Sequence, residues 1–199
     1  MEFIDLGLPS GLKWAKCNVG AKTETDYGYY FQWGDIVDKS KADCNDATYK
    51  YSDGTADKLT KYNTSTSYGE NPDGKRTLDP EDDAAAQIMG GDWRMPTWSE
   101  CQELINNTTN VWVTNYNDTG VNGRKFTSKT DESKYIFIPA SGARDGLMVY
   151  DREYYGYIWS SSLYRMPSNA YKLYIKSSGS FAESDLSRRF GLPVRGVFK

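Results

Sequence analysis

The chain opens on short apolar runs broken by glycine: Phe3-Ile4-Asp5-Leu6-Gly7-Leu8-Pro9, Leu12-Lys13-Trp14-Ala15 and Tyr29-Tyr30-Phe31-Gln32-Trp33-Gly34. Runs this short, bounded by Pro-Ser-Gly and Asn-Val-Gly, predict short strands joined by turns. Residues 36–78 change character. Asp, Lys, Thr, Ser, Asn and Tyr dominate, and Asp53-Gly54 and Pro72-Asp73-Gly74 signal turns. They form a long irregular polar insertion, too rich in Tyr for a disordered linker.

Two helices are then signalled. Asp79 caps a predicted helix starting at Pro80, where the missing N–H costs nothing, and Glu81, Asp82 and Asp83 favour its positive end. It runs through Ala84–Met89 and stops at Gly90-Gly91. Metal ligation is the alternative role for the acidic residues 81–83. Thr97 and Glu100 form a capping box for a second helix through Ile105, ending at Asn106-Asn107.

From Val111 onward the pattern is β. Val111-Trp112-Val113 is short, and the run Val121–Thr127 holds an Asn-Gly turn. Tyr135–Ala140 is almost continuously apolar, which predicts a central strand. Tyr157–Ser162 follows a loop punctuated by Gly and Asp. Tyr171, Leu173 and Ile175 alternate with Lys172, Tyr174 and Lys176, so the first set is expected inside and the second outside. The segment Phe190–Val197 reads as a last short strand. Two helices among many strands make the fold class α+β, with residues 1–199 as one domain.

Composition narrows the function classes. The 199 residues carry a net charge of −3 with acids and bases interspersed, so neither nucleic acid nor an anionic membrane surface is an expected partner. No apolar stretch approaches the ~20 residues needed to span a bilayer, so no membrane insertion is expected. The first residues lack a basic region and an apolar core, so no signal peptide is read there. Aromatic content is 15%, with 16 Tyr and 6 Trp, against a mean hydropathy of −0.72. Rings with one polar handle suit a recognition surface and equally a β-rich core. Cys17, Cys44 and Cys101 allow at most one disulfide, and buried free thiols are the favoured expectation.

Catalytic options are few. The chain has no histidine, which removes Ser-His-Asp and Cys-His nucleophile sites and nearly all catalytic zinc centres. It lacks the nucleophile-elbow, phosphate-loop and dinucleotide motifs. Paired carboxylates could serve a glycosidase, but among 27 acidic residues some pair always looks plausible. No cofactor is expected. Asp35, Asp38, Asp43, Asn45 and Asp46, or Glu70, Asn71 and Asp73, offer oxygens of the kind Ca²⁺ takes, without EF-hand spacing; solvated loop acids are the preferred reading.

Several segments together resemble one family. Phe3–Ala21 and Tyr27–Gly34 resemble the opening of the Fibrobacter succinogenes major paralogous domain as it occurs in gut Bacteroidetes proteins. Asp82–Ala85, Gly90–Thr97 with Glu100, Ile138–Arg144, Tyr157–Ser162 and Arg188 through Gly191 to Val194-Arg195 match the same family in order. The resemblance implies a C-type-lectin-like fold, with helices packed on short, mostly antiparallel sheets and long irregular loops. It also implies a cell-surface or extracellular role in adhesion or recognition, and chain ends lying together as adjacent strands. The formylglycine-generating enzymes share that fold but need a cysteine pair near the C-terminus. No cysteine follows Cys101 here. The Glu-Pro-Asn and Trp-Asn-Asp motifs of calcium-dependent animal lectins are missing too, so the likeness carries no sugar specificity.

The C-terminal third is also similar to the variable proteins of diversity-generating retroelements, in Trp159–Ser162, Ala170–Leu173 and Gly191–Arg195. The expected function is therefore non-catalytic binding of a protein or glycan ligand through the region 157–199. A carboxylate-dependent carbohydrate-active enzyme and a structural or assembly subunit are the alternatives. Candidate ligand-binding residues are Tyr157, Leu163, Tyr164, Arg165, Met166, Lys172, Tyr174 and Lys176, with Ser184, Asp185, Ser187, Arg189 and Leu192. Trp14, Trp33, Trp93 and Trp159 are expected in the core. Arg94, Arg144, Arg188 and Arg195 are expected to bond within the fold rather than to bind an anion.

Overall fold

A computed structural model describes residues 2–199, the side chains of Glu183 and Ser184 excepted. In chain order come β1 (Phe3–Asp5), β2 (Lys13–Ala15), α1 (Ala84–Met89), α2 (Trp98–Asn107), β3 (Thr108–Val113), β4 (Gly123–Ser128) and β5 (Tyr135–Pro139). They are followed by β6 (Ala143–Asp145), β7 (Met148–Tyr150), β8 (Tyr155–Leu163), β9 (Asn169–Lys176), β10 (Gly179–Ser187) and β11 (Val197–Phe198). The strands pair antiparallel in the orders β1-β2-β11, β3-β4-β5, β10-β9-β8 and β6-β7. The chain is α+β, mostly strands with two helices, and no helix among the described residues is long and apolar enough to cross a membrane.

The sheet β10-β9-β8 separates two apolar clusters. Ile158, Leu173 and Ile175 pack with Leu104, Phe126 and Trp14 on one side. Trp159, Ala170 and Leu163 pack with Phe31, Trp33 and Tyr62 on the other. Trp14, Trp33 and Trp159 are fully buried, whereas Trp93 is half-buried against Phe198. Trp33 donates Nε1–H to the Ser160 carbonyl and Trp159 donates to that of Phe31, both at 2.8 Å, tying the N-terminal segment to β8. The chain ends meet, with the Phe3 and Phe198 rings 5.0 Å apart. They are not adjacent strands, however, because β2 lies between β1 and β11.

Several local expectations are corrected. Asp79 makes no side-chain cap; Pro80–Asp82 is a separate 3₁₀ turn, and Asp83 caps α1 by accepting from the Ala86 amide. The Thr97/Glu100 capping box forms as expected. Asn122-Gly123 is not the turn between β3 and β4. Residues 114–122 make that connection, with Asn115, Asn117 and Asp118 at positive φ. β5 is buried along most of its length, as its apolar run requires, but stands at an edge of its sheet, with β4 in the middle.

The insertion 36–78 is irregular, as its composition predicts, and its tyrosines anchor it. Tyr49, Tyr51 and Tyr62 are buried in the cluster around Trp33. Arg188 clamps the loop from below: Nε donates to Tyr49 Oη (2.7 Å), and the terminal nitrogens donate to the carbonyls of Tyr62, Pro167 and Lys61. Among the described residues the three cysteines are free thiols, Cys44 and Cys101 buried and Cys17 half-buried.

Candidate functional site

In a strand every second side chain shares a face, and residues opposite each other across an antiparallel pair share it too. β8 and β9 set Tyr157 opposite Tyr174, and β10 sets Phe181 opposite Tyr174. The Tyr157 and Tyr174 rings stack with centroids 5.2 Å apart and planes 13° from parallel; Phe181 follows at 5.8 Å. The result is an aromatic ladder running across the sheet. Such pairs contribute about 0.5–1.5 kcal/mol beyond the area they bury.

Lys172 precedes Tyr174 by two residues and so shares its face. It is 4% exposed, its Nζ donates to the Asp185 carbonyl at 2.7 Å, and it lies 5.6 Å from the Tyr157 ring centroid. Burial pushes its amine down to about 8, against the upward pull of the Asp185 carboxylate. Burial also raises the Tyr157 phenol.

The opposite wall is the two-stranded ribbon β6-β7. Ala143 and Tyr150 face each other across it and, with Asp145, line the same cleft as Tyr157, Lys172 and Tyr174. Asp151, Leu186 and Phe190 complete a cleft of about 470 Å³. The ribbon is pinned at two points. Arg144 and Gly191 exchange backbone hydrogen bonds at 2.8 and 2.9 Å, and Cys44 and Gly146 do so at 3.1 and 2.9 Å. Gly142 turns the chain into the ribbon at φ +66°, where a Cβ would collide with the Tyr150 carbonyl. A wall held this way is pre-organised, which lowers the cost of ordering it around a ligand.

The predicted ligand residues do not form one face. Tyr157, Lys172 and Tyr174 line the cleft, and Lys176 extends it, its Nζ 5.6 Å from the Tyr174 ring and 5.3 Å from Phe181. Arg189 reaches the rim by pairing with Asp145. Tyr164 and Arg165 belong to the other side of the sheet, where Tyr164 meets Tyr171 edge-on and Trp98 of α2 stacks on Tyr171. Met166 is exposed beside them in sequence. The Asp185 carboxylate accepts from Asn169 Nδ2, a contact within the sheet, and Ser187 is half-buried opposite Asn169. Ser184 carries a side chain outside the described residues.

Three candidates expected at the surface are buried. Leu163 follows a register shift in β8 between Trp159 and Leu163 that turns it into the core. Leu192 is bridged to Phe31 on both sides of its peptide unit and is fully enclosed. Lys172 is on the face that alternation assigns to it, but Leu186, Phe190 and the β6-β7 ribbon cover that part of the face. Tyr171, expected inside, is half-buried under Trp98.

Several residues of the oxygen-rich loops are committed within the fold, whereas Asp43 Oδ1 is buried without a partner among the described residues. Asp35 pairs with Lys39 and accepts from the Val37 amide, Asp38 accepts from the Ser40 amide, Asn45 from that of Thr48, and Asp46 pairs with Arg189. Asp73 accepts from the amides of Tyr62 and Asn63. Asp79, Glu81 and Asp82 cluster within 4.8 Å, but Lys61 Nζ sits 2.8 and 2.6 Å from Asp79 and Asp82, and Lys50 and Lys75 add further ammonium groups. Of the arginines, Arg94 forks onto Glu100, while Arg188 and Arg195 bond buried carbonyls and Asn18. Among the described residues Arg144 spends only its Nε, on the Ala42 carbonyl.

Asp145, Tyr150, Asp151, Leu186 and Phe190 were not among the candidates. The available signal was apolar Leu147, Met148 and Tyr150 beside an Asp-Gly turn, all three exposed in the structure. Comparison with protein-family models, with curated proteins and with solved structures found no match in any of the three.

Proposed function

We propose that this chain is a non-catalytic recognition module of C-type-lectin-like fold that takes a protein or glycan ligand in the tyrosine cleft beside β8 and β9. The observation that carries the reading is the ladder Tyr157–Tyr174–Phe181, set over the buried Lys172 and faced by a pinned ribbon. Flat amphipathic rings offer contact area at little conformational cost, and Tyr and Arg often anchor interfaces. Tyr150 in the cleft lining and Phe181 at the end of the ladder add exposed aromatic surface. The segments that resemble retroelement variable proteins, Trp159–Ser162 and Ala170–Leu173, lie on β8 and β9, which bear the ladder, and this supports a display role for the same region.

A carboxylate enzyme would work from Asp145 and Asp151, the two acids in the cleft. Asp145 already pairs with Arg189, which disfavours it as a proton donor, so binding is the preferred reading. The test is a glycan array together with capture from host and bacterial surface extracts, comparing the wild type with Tyr157→Ala/Tyr174→Ala. Whatever the wild type captures should be lost in the double variant. Equal capture by both would remove the cleft as the binding site.

A further inference from the structure

The β6-β7 ribbon divides two clefts. Ala143, Asp145 and Tyr150 face the tyrosine cleft, while Arg144 and Val149, paired with each other between those positions, face a second one of about 790 Å³. Arg144 and Arg152 both line this second cleft. Arg144 is only 6% exposed, and beyond its Nε bond to Ala42 its guanidinium finds no acceptor among the described residues. A buried cation without a carboxylate partner is costly, and buried polar groups are normally satisfied.

Arg152 is aimed at the same place. Its guanidinium lies 4.6 Å from the Tyr27 ring centroid, and Nη2 donates to Tyr30 Oη at 3.3 Å. The Tyr30 phenol is fixed by its own bond to the Ser141 carbonyl at 2.6 Å. Burial raises that phenol, while the charges of Arg152 and Arg144 pull the other way. No carboxylate within ion-pair distance neutralises either arginine among the described residues. Of the nearby acids, Asp26 accepts from the amides of Lys22 and Thr23, and Glu153 is bonded by Tyr27 and by the Asn122 amide. Asp43, next to Ala42, keeps a buried Oδ1 without a partner among the described residues but makes no ion pair with Arg144.

We propose that this second cleft binds a carboxylate-bearing saccharide, its carboxylate held by Arg144 and Arg152. A guanidinium with its Nε occupied still presents its two terminal nitrogens, which match the two oxygens of a carboxylate. The cleft is far larger than a bare carboxylate needs. Thr25, Ser40 and Thr119 offer hydroxyl oxygens that can accept from ring hydroxyls, the Ser40 and Thr119 protons going to Asp38 and to the Tyr116 carbonyl, and the exposed Leu147 and Met148 supply an apolar rim. Aromatic and apolar walls with a few placed polar groups are what small-ligand sites present. The inference does not depend on the tyrosine cleft, since the ribbon separates the two.

The experiment is an NMR titration of the whole chain with D-glucuronate, D-glucose and acetate, following the arginine Nε–H signals. Glucuronate should shift the Arg144 and Arg152 signals saturably, glucose should not, and acetate should bind at least about tenfold more weakly. Arg152→Gln changes an exposed residue, so it should keep the melting temperature while weakening glucuronate at least about tenfold; Arg144→Gln should abolish binding. Tyr157→Ala should leave glucuronate binding unchanged. The proposal is overturned if no saturable shift occurs up to about 50 mM, a range that covers millimolar affinities. It is equally overturned if glucose or acetate matches glucuronate, if Arg152→Gln binds like the wild type, or if Tyr157→Ala loses the ligand.

Discussion

Tyr157 and Tyr174 stand directly opposite each other on β8 and β9, with rings stacked 5.2 Å apart. The stack forms one side of a cleft whose other side is a separate ribbon, hydrogen-bonded to Gly191 and to Cys44. Strand pairing therefore orders the tyrosines, and long-range backbone bonds place the wall that faces them.

This geometry separates two sets of aromatic and basic residues that are close in sequence. Tyr164→Ala/Arg165→Ala removes a pair on the α2 side of the sheet. Tyr157→Ala/Tyr174→Ala removes the cleft wall. Binding of the captured ligand should survive the first change and be lost in the second, as judged by surface plasmon resonance. The first variant should keep its melting temperature within a few degrees, since sites away from the core typically shift stability by less than ~0.5 kcal/mol each. Loss of binding in the Tyr164/Arg165 variant would put the site on the other face.

Lys172 makes the fold sensitive to pH in one direction. Its folded value of about 8 lies below the unfolded 10.5, so between those values the unfolded chain binds more protons. Stability from this residue rises as pH increases from about 8 toward 10.5, and below that window the buried charge carries a constant penalty. A displacement of this size corresponds to roughly 3 kcal/mol. Relative to wild type, Lys172→Met should therefore be most favourable at pH 7 and lose that advantage by about pH 10. Urea unfolding at both values checks it; a difference independent of pH would show that the amine titrates normally.

Local rules made part of this legible. Thr97 and Glu100 announce α2, the apolar run 135–139 announces β5, and alternation sorts residues 171–176 correctly into two faces. What alternation cannot show is what covers a face. Ala170 and Lys172 are buried because both sides of the β8-β9-β10 sheet are packed at that end, while Tyr174 and Lys176 emerge where the packing stops. Leu163 was misplaced because a register shift in β8 has no marker in Ser160-Ser161-Ser162. The ribbon wall read as a loop, because its pins join residues 44, 146 and 191, and no local pattern records such contacts.

Arg188 should be among the least replaceable residues. Its guanidinium serves Tyr49, Lys61, Tyr62 and Pro167, and lies 4.8 Å from the Trp33 ring. Arg188→Ala strands several buried carbonyls, each costing about 1–3 kcal/mol when left unpaired, so a loss of at least about 3 kcal/mol is expected. Arg188→Lys should recover only part of it, because an ammonium cannot reproduce the planar fork. Chemical denaturation measures both. An Ala variant within about 1 kcal/mol of wild type would mean that the insertion is not held through this residue.

Asp82 sets the acid limit of the same region. Its carboxylate receives Lys50 Nζ at 2.8 Å, and Lys61 Nζ and Tyr62 Oη at 2.6 Å each. Burial works against the charge, but these bonds outweigh it and hold the carboxyl well below its ordinary value of 3.8. The folded state then binds fewer protons than the unfolded chain, so the stabilisation is fully present above about pH 4 and drains away as pH falls below it. Asp82→Asn removes the charge and leaves two lysines without it. The variant should be less stable than wild type at pH 7, by about 1–3 kcal/mol, and the gap should narrow steadily on acidification. Thermal melts at a series of pH values from about 7 to 2 read the difference directly. Parallel curves over that range would mean that Asp82 does not draw stability from its lysines.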